Sequence, residues 1–251
     1  MTRSFDVFIF LILSMPCWSQ PVHPEPRGGN FFLDLASLWP QHENIQGLAE
    51  AANNGNTTAN YTVIFESTWS ALTHPNQFPS SPHFSGLVGG THHGPQSFWV
   101  IEELASPGIK NMAEFGSKTL LINEVDGAIS LGTAGFVLSG GGISVSPGTI
   151  EMNFSIDRAF PRVTLVSMLA PSPDWFIGVA GLPLFDEGQW RDEVVVVLYP
   201  FDAGTDSGPL YHSPNNPTLP PELIYPIESD PFLVEGVVPP LGTFTFLRTL
   251  P

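Results

Sequence analysis

Cysteine is almost missing from this chain of 251 residues: the only one is Cys17. A disulfide framework within the chain is therefore excluded. Basic residues are scarce as well, 8 Lys and Arg against 24 Asp and Glu, for a net charge of −16. So few cations cannot neutralise a track of phosphates, so nucleic acid is excluded as a partner, and an anionic membrane surface is an equally poor match. Charged residues of both signs make up only 13% of the chain. No apolar run approaches the roughly 18 residues that signal a membrane-spanning helix. Long helices are excluded too, because 24 Gly and 26 Pro punctuate the chain too often. What is present is apolar and aromatic: 42% hydrophobic residues, with 19 Phe and 6 Trp. That is enough to build a core, which rules out intrinsic disorder. The length suits one large all-β domain or two small ones, made of short strands joined by Gly/Pro turns.

The N-terminus reads as an export signal over residues 1–19. Arg3 supplies the basic start and Val7–Met15 the apolar stretch; Ser19 is a small residue suited to cleavage. Pro16 before Cys17 argues against a lipoprotein. The expected location is therefore secreted, with no membrane span. Residues 20–58 form a polar linker or arm, Pro-rich at its start, in which Asn30–Trp39 is apolar enough to dock on the body. The body occupies residues 59–251.

Within the body, Tyr61–Glu66, Ser97–Glu103, Thr149–Ile156, Val163–Leu169, Asp174–Leu182, Glu193–Phe201 and Gly242–Leu250 read as strands. Glu193–Tyr199 is apolar on both faces and is expected to be central and buried. Pro79–Gly94 reads as a long loop, Gly140–Gly142 as a turn, and the Pro-rich Ser213–Pro240 as irregular. Gly108–Val125 is the one helical stretch, divided by Gly116 into two short helices. The expected fold is all-β: an antiparallel β-sandwich of about eight strands with a short helical insertion.

Two segments carry the most unusual chemistry, Ala170–Val179 (APSPDWFIGV) and Tyr199–Gly208 (YPFDAGTDSG). In each, a strand meets Pro and an Asp follows at the mouth of a loop. Carboxylates at neighbouring strand ends can share one space, and Gly/Pro/Ser turns offer carbonyl oxygens beside them. Six to eight such oxygens suit Ca²⁺. Asp174, Asp202 and Asp206 are thus candidates for a hard-cation site, against the alternative that they only shape Asx-type turns.

These same strings, with Trp190 between them, resemble the signature of the spondin N-terminal domain of F-spondin and mindin. So do YTVIFESTWS, HFSGLVGGTHH, SFWV and ASPGIKNMAEFG, in order along the chain; the resemblance runs from Tyr61 to Leu250. It implies a C2-like antiparallel β-sandwich in a secreted matrix protein. It also implies one Ca²⁺ held by two Asp and an acidic residue on the preceding strand. Asp174 and Asp202 match the family's Asp positions. The third position aligns with Ser155, which is no carboxylate, leaving Asn153, Asp157 and Glu151 as alternatives. Phe185 stands where relatives often carry Cys. A stand-alone spondin domain is expected, monomeric and non-enzymatic, recognising an extracellular or cell-surface protein or glycan.

Other motifs carry less. Asp206–Gly208 (DSG) matches half of an aspartic-protease pair, and no second copy exists to share the proton. A hydrolase using Asp174, Asp202 and Asp206 is the alternative functional reading. His92 and His93 are adjacent, hence on opposite faces of any strand, and read as loop histidines making hydrogen bonds. Asn56, Asn60 and Asn153 begin glycosylation sequons.

Overall fold

A computed structural model of the chain describes residues 7–8, 57–94 and 97–249. Cys17, residues 20–56 of the expected arm and Asn56 lie outside the described residues, as does most of the expected export signal. The elements in chain order are β1 (Val7–Phe8), β2 (Thr58–Ser67), β3 (His83–Phe84), β4 (Val88–His92), α1 (Pro107–Phe115), α2 (Thr119–Ser130), β5 (Ala134–Ser139), β6 (Gly148–Asp157), β7 (Arg162–Ala170), β8 (Trp175–Pro183), β9 (Phe185–Asp186), β10 (Gln189–Trp190), β11 (Glu193–Leu198), β12 (Phe201–Asp202), β13 (Tyr225–Pro226) and β14 (Gly242–Thr249). Strands of five or more residues are β2, β4, β5, β6, β7, β8, β11 and β14, in keeping with the eight expected. One sheet runs β1-β11-β14-β2-β6 and another β13-β12-β8-β7-β4-β5, with β3 beside β7. Among the described residues every strand pairing is antiparallel except Val7–Phe8 against Val195–Val196.

Alternation explains the first sheet. Tyr61, Val63 and Phe65 point inward from β2, and Phe244 and Phe246 from β14. Phe65 pairs with Phe244 across the ladder, their rings 5.1 Å apart and edge to face, an arrangement that adds to simple area burial. Opposite them stand Val163, Leu165 and Leu169 of β7 and Trp175, Ile177 and Val179 of β8. The other faces of β7 and β8 are also covered: Val166, Met168, Ala170 and Phe176 pack against Ile109, Met112 and Ala113 of α1 and Leu121 and Val125 of α2. The fold is therefore a sandwich with a helical layer on one sheet, and β7 is buried from Val163 to Ala170.

The helix boundaries follow from local chemistry. Ser106 caps α1 by accepting from Ile109 N at 3.1 Å, Pro107 occupies the first turn, and Gly116 closes it at φ 64°. Glu124 of α2 reaches back to accept from Gly108 N (2.6 Å) and Ser106 Oγ (2.7 Å), tying the two helices end to side.

Several strand assignments differ from the sequence pattern. Pro79–Gly94 contains β3 and β4, and β4 lies between β7 and β5. Its glycines hide the strand signal, and packing requires them: a Cβ on Gly89 would lie 1.9 Å from the Thr164 carbonyl oxygen. Ser97–Glu103 forms no strand; Phe98 and Trp99 are held in the helix-side core instead. β11 is not central. It pairs with β14 on one side and only the two-residue β1 on the other; Val194, Val196 and Leu198 are buried while Val195 and Val197 are half-buried.

Candidate functional site

The site lies where β7 turns into β8 and β11 passes into β12. Ser172 shapes the first turn, accepting from Trp175 N at 3.1 Å, which sets Asp174 at the head of β8. Across the sheet Asp202 pairs with Trp175 and Phe201 with Phe176. The register therefore brings Asp174 and Asp202 to the same sheet end.

The loop after Asp202 wraps both carboxylates. Gly204 N donates to Asp202 Oδ1 at 2.7 Å, and the Trp175 indole N–H donates to Asp202 Oδ2 at 3.2 Å. Tyr225 of β13 stands opposite Asp202 in antiparallel register. Gly204 stands at φ 70°, and a Cβ there would meet the Glu222 carbonyl oxygen at 2.3 Å, so glycine is required. Asp174 Oδ2 accepts from Thr205 N (2.7 Å), Thr205 Oγ1 (3.1 Å) and Asp206 N (3.0 Å). Its other oxygen, Oδ1, is buried and has no hydrogen-bond partner.

Electrostatics follow from burial. Asp174 is fully buried and Asp202 is 8% exposed. Desolvation is the main cause that pushes the Asp174 carboxyl up to about 7; the nearby Asp202 charge adds to it, and the Thr205 and Asp206 donors oppose it. Burial also raises Asp202, against the pull of the Gly204, Tyr225 and Trp175 donors. Burial and the Asp202 charge raise Tyr225, which keeps its hydroxyl protonated.

Asp206 is not part of this pair. Its Oδ1 accepts from Gly208 N and its Oδ2 from Asn216 N, both at 2.8 Å, so the carboxylate clamps its own loop. The four candidates for a third ligand sit on β6, the edge strand of the opposite sheet, which lies beside β5 and away from β12. Ser155 donates to Asn60 Oδ1, Asn153 accepts from Thr62 Oγ1, Asp157 accepts from Ala159 N, and Glu151 is exposed. None of the four joins the pair. Among the described residues no group of three His, Cys, Asp or Glu converges. Thr205, Gly204 and Tyr225 enter the site without having been singled out. The DAGTDSG string holds the first two; Tyr225 lies in a Pro-rich stretch with no motif.

His92 is on β4, buried, with Nε2 2.8 Å from Thr164 Oγ1 and its ring edge-on to Phe98; burial lowers it to about 4. His93 instead stacks on Phe160. The sequons at Asn60 and Asn153 face each other in antiparallel register, Asn60 opposite Ser155 and Thr62 opposite Asn153.

The fold is thus an antiparallel β-sandwich with two Asp residues brought together at one loop mouth. Residues 59–233 match the Spondin_N family, and the chain belongs to it. It is 33% identical over 199 residues to human Spondin-2 and 32% over 203 residues to rat Spondin-2, covering 78% and 76% of this chain. To rat Spondin-1 it is 35% identical over 178 residues, 68% of this chain. It spans 60% and 62% of the two Spondin-2 chains and 22% of Spondin-1. β14, at the centre of the first sheet, lies beyond the matched span.

Proposed function

We propose that this chain is a secreted adhesion or recognition module, non-enzymatic, whose Asp174–Asp202 pair binds Ca²⁺ as part of the fold. Its partner is an extracellular or cell-surface protein or glycan. Membership of the spondin family supports the extracellular setting, and no described helix is long and apolar enough to cross a membrane.

The observation that carries the calcium reading is Asp174 Oδ1, a buried carboxylate oxygen without a partner in a site whose second carboxylate repels it. Two buried like charges destabilise a fold unless one is protonated or a cation lies between them. The donor set is all oxygen, the preference of a hard cation. Asp174 Oδ1 and Asp202 would hold the ion, with remaining oxygens from loop carbonyls and water. Ca²⁺ would supply charge neutralisation; Thr205, Gly204 and Trp175 fix the carboxylates in place.

Thermal unfolding in Ca²⁺ and then EGTA tests this. At a hundredfold excess over Kd, stabilisation is about 2.7 kcal/mol, or a rise of about 5–10 °C in Tm. An unmoved Tm, equal in Asp174→Ala, defeats the reading.

One observation favours a second reading. A carboxyl held near 7 has the range of a general acid, so the same mouth could serve a hydrolase. Turnover of generic esterase, glycosidase or protease substrates, abolished in Asp202→Ala, would establish that reading and displace the first.

A further inference from the structure

Beside the Asp202 mouth, two loop segments turn apolar side chains outward. Leu104 faces Leu223 across an antiparallel bridge. Glu102 N donates to Ile224 O at 2.9 Å and Ile224 N to Glu103 O at 2.8 Å, so the segments lie edge to edge. Ile224 and Trp99 point into the helix-side core. Their neighbours point the other way: Leu104 is 58% exposed, Leu223 48%, Tyr225 43%, Val100 39% and Ile101 38%. Scattered exposed apolar residues need no explanation, but a contiguous group marks an interaction site.

The rim of this group is acidic. Glu102, Glu103 and Glu222 are exposed, and the Glu222 charge reaches both Asp202 and Tyr225. The arginines among the described residues are elsewhere. Arg158 and Arg162 flank the start of β7, and Arg191 and Arg248 lie at the start of β11 and the end of β14; these are the strand ends opposite Asp174 and Asp202. Lys110, the base nearest in sequence, is held by Glu114 on its own helix at 2.7 Å. Lys118 donates to Ser139 Oγ and Gly140 O.

We propose that this face docks an extended, basic segment of a partner protein, one that alternates Lys or Arg with apolar side chains. The apolar residues would cover Leu104 and Leu223, while the cations meet Glu102, Glu103 and Glu222. Charge complementarity selects this occupant. A second copy of the same face would set like charges together, and an anionic bilayer would be repelled. The patch is small, which places the affinity in the micromolar class of transient contacts. The proposal rests on reading the chain as a recognition module, but not on the cation.

The test uses the purified chain and a fluorescent peptide alternating Lys and Leu, followed by anisotropy in EGTA and again in Ca²⁺. Saturable binding is expected, weakened by salt, and absent for the same peptide with Glu in place of Lys. Leu104→Ser with Leu223→Ser should weaken it at least tenfold, as should Glu103→Lys with Glu222→Lys. Asp126→Lys with Glu193→Lys makes the same charge change at distant exposed positions and should change it less than twofold. These substitutions are all at exposed positions, and an unchanged Tm verifies the fold of each variant. Equal losses from the near and distant charge pairs overturn the proposal, as does full binding by the Leu variant. A concentration-dependent dimer that Leu223→Ser abolishes, or binding to phosphatidylserine vesicles in place of peptide, does so too. Peptide binding without a calcium-dependent Tm defeats the cation reading alone; a calcium-dependent Tm without peptide binding defeats this proposal alone.

Discussion

The indole N–H of Trp175 donates to the carboxylate of Asp202 across 3.2 Å, between two residues paired in antiparallel register. Trp175 also packs against Tyr211 and Phe232 in the sandwich core. Packing of the core thus fixes the position of one carboxylate of the site, and the preceding residue, Asp174, supplies the other. Changes at the mouth should therefore be readable as changes in stability and in Trp175 emission.

Replacing Asp174 by Asn removes one of two buried like charges while nearly keeping shape. In EGTA at pH 8 the variant should melt several degrees higher than wild type, since a neutral amide is cheaper to bury than a carboxylate and the repulsion from Asp202 is gone as well. In Ca²⁺ the order should reverse, because the variant loses its cation ligand. Differential scanning calorimetry in both buffers checks the crossover.

The pH dependence has a definite sign. Folding raises the Asp174 carboxyl from its ordinary 3.8 to about 7. The protonated form is favoured in the folded state, so its stability is fully present below about 4 and is lost as pH rises through about 7. The metal-free domain should lose up to about 1.4 kcal/mol per pH unit across that window. Asp174→Asn should remove this leg of the profile, and urea titrations from pH 4 to 8 measure it.

Asp206→Ala should cost about 1–3 kcal/mol, because Gly208 N and Asn216 N lose their acceptor in a largely buried loop. The calcium-dependent rise in Tm should survive. Loss of that rise with little change in EGTA would show that Asp206 belongs to the site after all.

Gly89→Ala should unfold the domain or cost more than about 3 kcal/mol, since its methyl has no room against the Thr164 carbonyl and neither strand can move within the ladder. Gly141→Ala, where open space surrounds the new methyl, serves as the tolerated control. Circular dichroism and expression yield separate the two.

Much of this was legible in the sequence. β2, β14 and β7 follow from apolar alternation, and α1 from Ser106, Pro107 and Gly116 at its ends. Asp174 and Asp202 were legible because each follows a Pro that ends a strand, and strand ends cluster in a sandwich. β4 was hidden because its fit demands Gly89 against β7 and Gly90 against Val125 of α2, and glycines carry no hydrophobic signal. β5 was not anticipated at all. β11 misled in the opposite way: five apolar residues in succession suggested burial on both faces, but only one face of its sheet meets the core, and Val195 and Val197 point to the other and are half-covered, as are the alternate residues of the central β14. No pattern within β6 could show that its polar residues spend their hydrogen bonds on β2 and on their own turn. That depends on which strand lies beside it, a property of topology.

β7 is the common wall of two cores, presenting Val163, Leu165 and Leu169 to the sandwich and Val166, Met168 and Ala170 to the helices. Neither layer can lose its packing without stripping a face of the same strand. The two cores should therefore melt as one cooperative unit, with Trp69 in one and Trp99 in the other expected to report a single midpoint. Whatever happens at the Asp174 end of β8 is felt by the whole domain at once.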